Sequence, residues 1–232
     1  SIMPCTAKKF EVGRDDMSAA GEGIADVDVA LTTRELSRMI SRAGLKFEAL
    51  PDEEFDPAFG ISTGAAVIFG ATGGVMEAAL RTANDVLNGK DMKDIEFHEV
   101  RGTAGVKEAT YDIAGLPVKV AVASGAANAK YVMDKIKSGE ADWTFVEIMG
   151  CPGGCVNGGG QPIQPQYVRD TVDLKTLRAK ALYKQDEKMP LRKSHENPIV
   201  KEVYDTYYHG SYGCEKAHHA LHTTYKARKR YI

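Results

Sequence analysis

Glu147-Ile148-Met149-Gly150-Cys151-Pro152-Gly153-Gly154-Cys155-Val156-Asn157-Gly158-Gly159-Gly160-Gln161-Pro162 is the stretch on which the reading of this chain turns. Two cysteines stand four positions apart, in a segment with six glycines between Gly150 and Gly160. Thiolates bind soft metals, and iron–sulfur clusters are held in loops of this kind. A tight turn needs only one or two glycines. Six let the backbone close around something bulky and turn N–H groups toward electron-rich atoms. The loop is therefore expected to be built around an object. The preceding Trp143-Thr144-Phe145-Val146-Glu147 reads as a buried strand that delivers it, since open α/β sheets place sites at the carboxyl ends of strands.

Outward from that loop, the pattern is strand followed by helix. Val27–Leu31 reads as a strand, and Thr32 with Glu35 three positions on is a capping-box signature for a helix over Arg34–Ala43, stopped at Gly44. Ala65–Phe69 is a short apolar strand candidate, followed by the Gly70–Gly74 turn and a helix to about Leu87. That turn lacks both the G-K-[ST] ending and the G-x-G-x-x-G spacing, which excludes nucleotide binding there. Glu108–Ile113 and Pro117–Ala123 read as a hairpin across Ala114-Gly115-Leu116. Asn128–Ile136 reads as a helix, Lys184–Glu196 as a polar connection, and Asn197-Pro198 as the N-cap and first position of a helix to about Tyr208. The expected fold class is α/β, with mixed parallel and antiparallel sheets and flanking helices.

The chain of 232 residues is long enough for one substantial core. Hydrophobic residues make up 43% and charged residues 27%, ordinary values for a globular protein. A net charge of −2 gives no pull toward nucleic acid or anionic membrane. The Lys226-Ala227-Arg228-Lys229-Arg230 cluster reads as a solvated terminal stretch, and no apolar run is long enough to span a bilayer. Four unevenly spaced cysteines do not form a disulfide framework, which points to a reducing cytoplasm.

A third cysteine lies far upstream, in Ser1-Ile2-Met3-Pro4-Cys5-Thr6-Ala7-Lys8-Lys9-Phe10-Glu11. Together the two segments read M-P-C-x-x-K-x-x-E and E-x-M-x-C-x-x-G-C-x-x-G-G-G-Q. They resemble the second and third signature motifs of the iron–iron hydrogenases, matching every defining position of both. Phe69-Gly70-Ala71-Thr72-Gly73-Gly74-Val75-Met76-Glu77-Ala78-Ala79 is similar to that family's central segment, and Leu221-His222-Thr223-Thr224-Tyr225 to its ending. Nothing corresponds to the family's first motif, T-S-C-C-P-x-W. The chain is therefore expected to be the C-terminal portion of a longer polypeptide: residues 1–195 part of the two-lobed catalytic domain, residues 196–232 a helical segment packing on it. The missing N-terminal portion would carry the fourth cluster ligand, the proton relay and the electron-transfer clusters.

The resemblance implies reversible conversion of protons and electrons to H₂ at a [4Fe–4S] cubane joined to a two-iron unit with carbonyl, cyanide and a bridging dithiolate. A redox partner such as ferredoxin is implied, with no nucleic acid and no membrane span. By the resemblance, Cys5 and Cys151 are cubane ligands and Cys155 bridges the cubane to the two-iron unit. Lys8 would donate to a cyanide, while Lys9 has no motif counterpart. Met3 and Met149 would be soft neighbours of the two-iron unit, and Phe69 would line the same cavity. Pro4 and Gln161 complete the expected cofactor-binding set, with Thr72 behind it. Glu11 would position Lys8 or brace a loop. Taken without the resemblance, the cysteines could be buried hydrophobes or zinc ligands, though no histidine lies near either loop. Cys214 reads as a bystander, and His218, His219 and His222 as packing residues. The alternatives to a hydrogenase are a hydrogenase-like iron–sulfur assembly protein without that activity, and an H₂-sensing homologue.

Overall fold

Two short parallel strands, β1 (Ile2–Met3) and β2 (Leu31–Thr32), bring the upstream cysteine segment against the first long helix. The strand expected over Val27–Leu31 is confined to Leu31–Thr32, because its partner contributes two residues before Pro4, which has no N–H for the ladder. A single turn, α1 (Lys8–Glu11), follows Cys5, and α2 (Thr33–Arg42) begins at the expected capping box. Glu35 N donates to Thr32 Oγ1 at 3.1 Å and Thr32 N to Glu35 Oε2 at 2.8 Å. All residues of this computed structural model are described except Ala20, Pro57, Ala58, Ser211 and 228–232, so Arg228, Lys229 and Arg230 of the basic cluster lie outside the described residues.

Ala65–Phe69 is not a strand. Gly64–Val67 forms helix α3 and Ile68–Gly70 a tighter helical turn, with Thr63 Oγ1 capping Ala66 N at 3.3 Å. A five-residue apolar run has no periodicity that separates strand from helix, and here the capping hydroxyl decides. Helix α4 (Gly74–Asn88) comes next. The hairpin β3 (Val106–Ile113) and β4 (Leu116–Ser124) turns on Ala114 and Gly115, both at positive φ (54° and 79°) as a two-residue hairpin turn requires. After α5 (Ala126–Ser138), β5 (Phe145–Met149) joins β4 in parallel, with Val122 beside Glu147 and Ser124 beside Met149. The sheet order β3-β4-β5 is mixed, as expected, but β5 is an edge strand with Phe145 and Ile148 exposed.

Helices α6 (Gln166–Thr171), α7 (Leu174–Lys188), α8 (Pro198–Thr206) and α9 (Glu215–Leu221) complete the chain. The polar connection expected from Lys184 starts only after α7 ends at Lys188. Its charges read as a solvated link, yet several are buried partners of α4. Met76, Leu80, Phe97, Val100, Ile113, Val120 and Val122 form the apolar core between α4 and the sheet, with Phe97 and Tyr111 edge to face at 4.9 Å.

Beside that core lies an ionic lock. Arg81 is fully buried, and all five of its N–H donors are used: Nε on Ile95 O, the others on Asp186, Glu77 and Arg192 O, at 2.7–3.1 Å. Arg192 returns to Asp186 at 2.6 Å, and Arg101 binds Glu77 from the other side at 2.6 Å. A Cβ at Gly64 would meet Asp186 Oδ1 at 1.9 Å, so glycine is needed where α3 passes the lock. Asp186→Asn is expected to destabilise the fold by about 3–5 kcal/mol in urea unfolding, since it strands a buried charge. Arg81→Lys should not rescue, because an ammonium cannot reproduce the five-donor fork.

Lys107 of β3 is buried too, donating to Thr72 O at 2.8 Å and Gly102 O at 2.9 Å. Burial pushes its pKa down to about 8 from 10.5, against the opposing pull of Glu147. The unfolded chain therefore holds this proton to higher pH than the native one, and stability from this group rises between pH 8 and 10.5. The stability of wild type relative to Lys107→Met should rise across that window in urea titrations.

Candidate metal centre

The glycines of the cysteine loop press its backbone onto three other segments. A Cβ at Gly158 would lie 1.7 Å from Pro4 O, and one at Gly160 would lie 2.7 Å from Thr32 Cβ. At Gly154, φ is +96° and a Cβ would sit 2.6 Å from Thr72 N. Gly160 N donates to Pro4 O at 3.3 Å, and Thr72 N to Gly153 O at 3.1 Å. Around Gly150 the space is open. The glycine density thus has a second cause beside the expected enclosed object: close approach of this loop to the Pro4 segment and to the Gly70–Thr72 turn.

That approach brings the three motif cysteines together. Cys5, Cys151 and Cys155 line one cavity of about 550 Å³ with Ala7, Val75 and the Phe145–Gly150 stretch, Met149 included. None is in a disulfide. Burial pushes the Cys155 thiol up, Cys151 and Cys5 add to the shift, and Lys8 opposes it. The donors are all soft thiols with no histidine in the lining, a set suited to iron–sulfur ligation rather than to a mixed Cys/His zinc site. The residues present fit three corners of a four-cysteine cubane.

The other expected site residues divide. Lys8 is half-exposed and forms an ion pair with Glu11, the contact that the first of the two roles expected of Glu11 requires. Met3 is half-buried in β1, outside the cavity lining. Phe69 does not line the thiol cavity; it lies in a neighbouring apolar groove of about 590 Å³, with Val75 forming the wall between the two. The reason is the helical rather than extended course of Gly64–Gly70. Pro4 acts through its carbonyl, as described. Gln161 Nε2 donates to Val156 O at 3.2 Å, bracing the loop from within. Thr72 is buried, and its hydroxyl has no hydrogen-bond partner among the described residues. Lys9 is less idle than its lack of a motif counterpart suggests. It donates to Ala30 O at 2.9 Å and pairs with Glu35 at 2.9 Å, tying α1 to α2.

Cys214 caps α9, its Sγ accepting from Ala217 N at 3.4 Å. His218 stacks on His222 at 4.4 Å and His219 faces Glu215. Beyond them Thr223 Oγ1 and Thr224 O accept from Arg14 at 2.8 and 3.2 Å, so the ending packs on the segment after α1. Among the described residues, the group Asp85, His195 and Glu196 has metal-like proximity. The Lys193 ammonium already occupies Asp85 Oδ2 at 2.6 Å and fills the cation's role.

What the sequence reading missed is the polar support under the loop. Glu147, buried in β5, accepts from Gly73 N and Met76 N at 2.7 Å each. The available signal was a carboxylate inside an otherwise apolar strand, at the head of the motif. Lys107 and Ser124 gave none.

Residues 1–159 match the family described as iron only hydrogenase large subunit, C-terminal domain, and residues 172–228 match iron hydrogenase small subunit. Iron hydrogenase 1 of Clostridium pasteurianum is 47% identical over 227 residues, covering 97% of this chain and 39% of that protein. The periplasmic [Fe] hydrogenase large subunit of Nitratidesulfovibrio vulgaris is 51% identical over 178 residues, 77% of this chain and 42% of that protein. Cytosolic iron-sulfur assembly component 3 of Rattus norvegicus is 31% identical, over 98% of this chain and 47% of that protein. A solved [FeFe]-hydrogenase from Chlamydomonas reinhardtii superposes with a TM-score of 0.76 at 39% identity, over 97% of this chain and 62% of that one. The chain thus spans less than half the length of each of these curated relatives. With its three thiols on one cavity and that match over residues 1–159, the chain is [FeFe]-hydrogenase-like and belongs to the iron-only hydrogenase large-subunit family.

Proposed function

We propose that this chain is the C-terminal portion of an iron–iron hydrogenase, and that the full protein interconverts protons and electrons with H₂. The observation that carries this is the meeting of Cys5, Cys151 and Cys155, from segments nearly 150 residues apart, on one cavity. In this reading residues 1–195 belong to the catalytic domain and 196–232 pack on it. The cofactor is a [4Fe–4S] cubane joined to a two-iron unit with carbonyl, cyanide and a dithiolate bridge. When bound, it supplies the site where H₂ is formed or split and a store for electrons.

The chain's own residues hold and shield it. Cys5 and Cys151 would hold the cubane, and Cys155 would serve both it and the two-iron unit. Lys8, steadied by Glu11, supplies a compact three-donor cation for a cyanide. Met149 offers a polarizable apolar wall. The remaining ligand, the proton relay and the electron route to a carrier such as ferredoxin would come from the rest of the protein. No described helix is long and apolar enough to cross a membrane. The free thiols fit a reducing compartment such as the cytoplasm. A second reading, a non-catalytic iron–sulfur assembly protein, draws on the 31% identity to such a relative. It predicts a cubane without carbonyl and cyanide.

Cys155→Ser in the full-length protein is expected to abolish the carbonyl and cyanide infrared bands. Wild-type bands in that variant would refute the assignment, and their absence from the wild type itself would favour the assembly reading. Lys8→Asn removes a charge-assisted bond of about 1.5–3 kcal/mol. It should lower H₂ evolution or retention of the two-iron unit by at least roughly tenfold. Lys9→Asn should instead lower thermal stability while leaving cofactor content intact.

A further inference from the structure

Each strand of the larger sheet sends one buried polar side chain toward the same place. Lys107 of β3 donates to Thr72 O at 2.8 Å, Ser124 Oγ of β4 accepts from Gly153 N at 3.1 Å, and Glu147 of β5 accepts from Gly73 N and Met76 N. None of the three is more than 9% exposed. Their targets are adjacent: Thr72 N donates to Gly153 O, so the start of α4 and the cysteine loop form one hydrogen-bonded unit.

The charges are matched to these targets. The first N–H groups of a helix have no intrahelical acceptor, and the helix end carries partial positive charge. A carboxylate on two of them satisfies both needs, in a place where other helices bind anionic ligands. The Lys107 ammonium donates to two loop carbonyls, and the nearby Glu147 carboxylate favours its charged form. Glu147 itself lines the cavity of Cys5, Cys151 and Cys155, and Lys107 lies within reach of its charge.

We propose that Glu147 and Lys107 are a charge-matched pair of positioning residues that, with Ser124, set the placement of the Cys151–Cys155 loop against α4 and the field felt by a cluster bound there. This rests on the cluster assignment above for its electrostatic half only. The geometric half concerns the protein without any metal.

The experiment uses the full-length protein carrying Glu147→Gln, Lys107→Met, both together, or Ser124→Ala. In the metal-free protein, amide exchange at Gly73 and Met76 should quicken at least roughly tenfold in Glu147→Gln, and at Gly153 in Ser124→Ala. In the iron-loaded protein, the cubane midpoint potential should rise in Glu147→Gln, which removes a negative charge. It should fall in Lys107→Met, and return toward wild type in the double variant. Unchanged exchange at all three amides, or potential shifts of the same sign in the two single variants, would overturn the proposal. If Glu147→Gln does not fold, the Ser124→Ala exchange and the sign of the Lys107→Met shift decide it. A wild type that takes up no cluster would sink the hydrogenase reading while the exchange result still judged the clamp.

Discussion

Contact of backbone with backbone is the constraint from which the site follows. At Gly154 and Gly158 the cysteine loop lies so near Thr72 N and Pro4 O that no side chain fits between. Two remote cysteine segments can converge on one cavity only if the chain between them is thin at the crossing. Glycine provides that thinness, at the expense of conformational freedom in the unfolded chain. The loss must be offset by contacts elsewhere, and the apolar core beneath α4 and the buried ions beside it lie immediately behind the loop.

Those two supports differ in kind. The Met76–Val122 core gains from burial in any arrangement of roughly the right volume. Arg81 tolerates only one arrangement, since all five donors must find oxygens. Apolar burial therefore drives the collapse, and the arginine selects among collapsed states the one in which α4, α7 and the segment after it are in register. Helix α4 is the shared part: Thr72 at its entry meets the cysteine loop, its first turn carries Glu77 and its second Arg81.

How legible this was in the sequence depended on the range of the interaction. The capping box at Thr32 and Glu35 and the Asn197-Pro198 helix start are local, and each stood where its residues indicated; the hairpin turn expected over Ala114-Gly115-Leu116 tightened to Ala114-Gly115, with Leu116 paired in β4. The meeting of Cys5, Cys151 and Cys155 on one cavity was foreshadowed by the resemblance of their two motifs to the hydrogenase signatures, since the four-residue spacing alone is a weak signal. Ala65–Phe69 was misread because five apolar residues look alike in a buried strand and a buried helix. Lys184–Glu196 was misread because Asp186 and Arg192 look solvated until Arg81, more than a hundred residues away, is set between them. Lys107 and Ser124 were invisible for the same reason: a buried polar residue shows its purpose only beside its partner.

The spacing of the ionic lock also sets an order of events during synthesis. Arg81 meets Asp186 across 105 residues. At ribosomal rates of about 5–20 residues per second, that separation corresponds to roughly 5–20 s of elongation. The cysteine loop, complete at Cys155, precedes Asp186 by 31 residues, or roughly 2–6 s of elongation, during which the arginine behind it lacks its partner. A nascent chain would therefore hold its thiols in an unclosed cradle, open to oxidation or to the wrong metal. Closure comes as a late step that follows the exit of α7, rather than the exit of the ligands themselves.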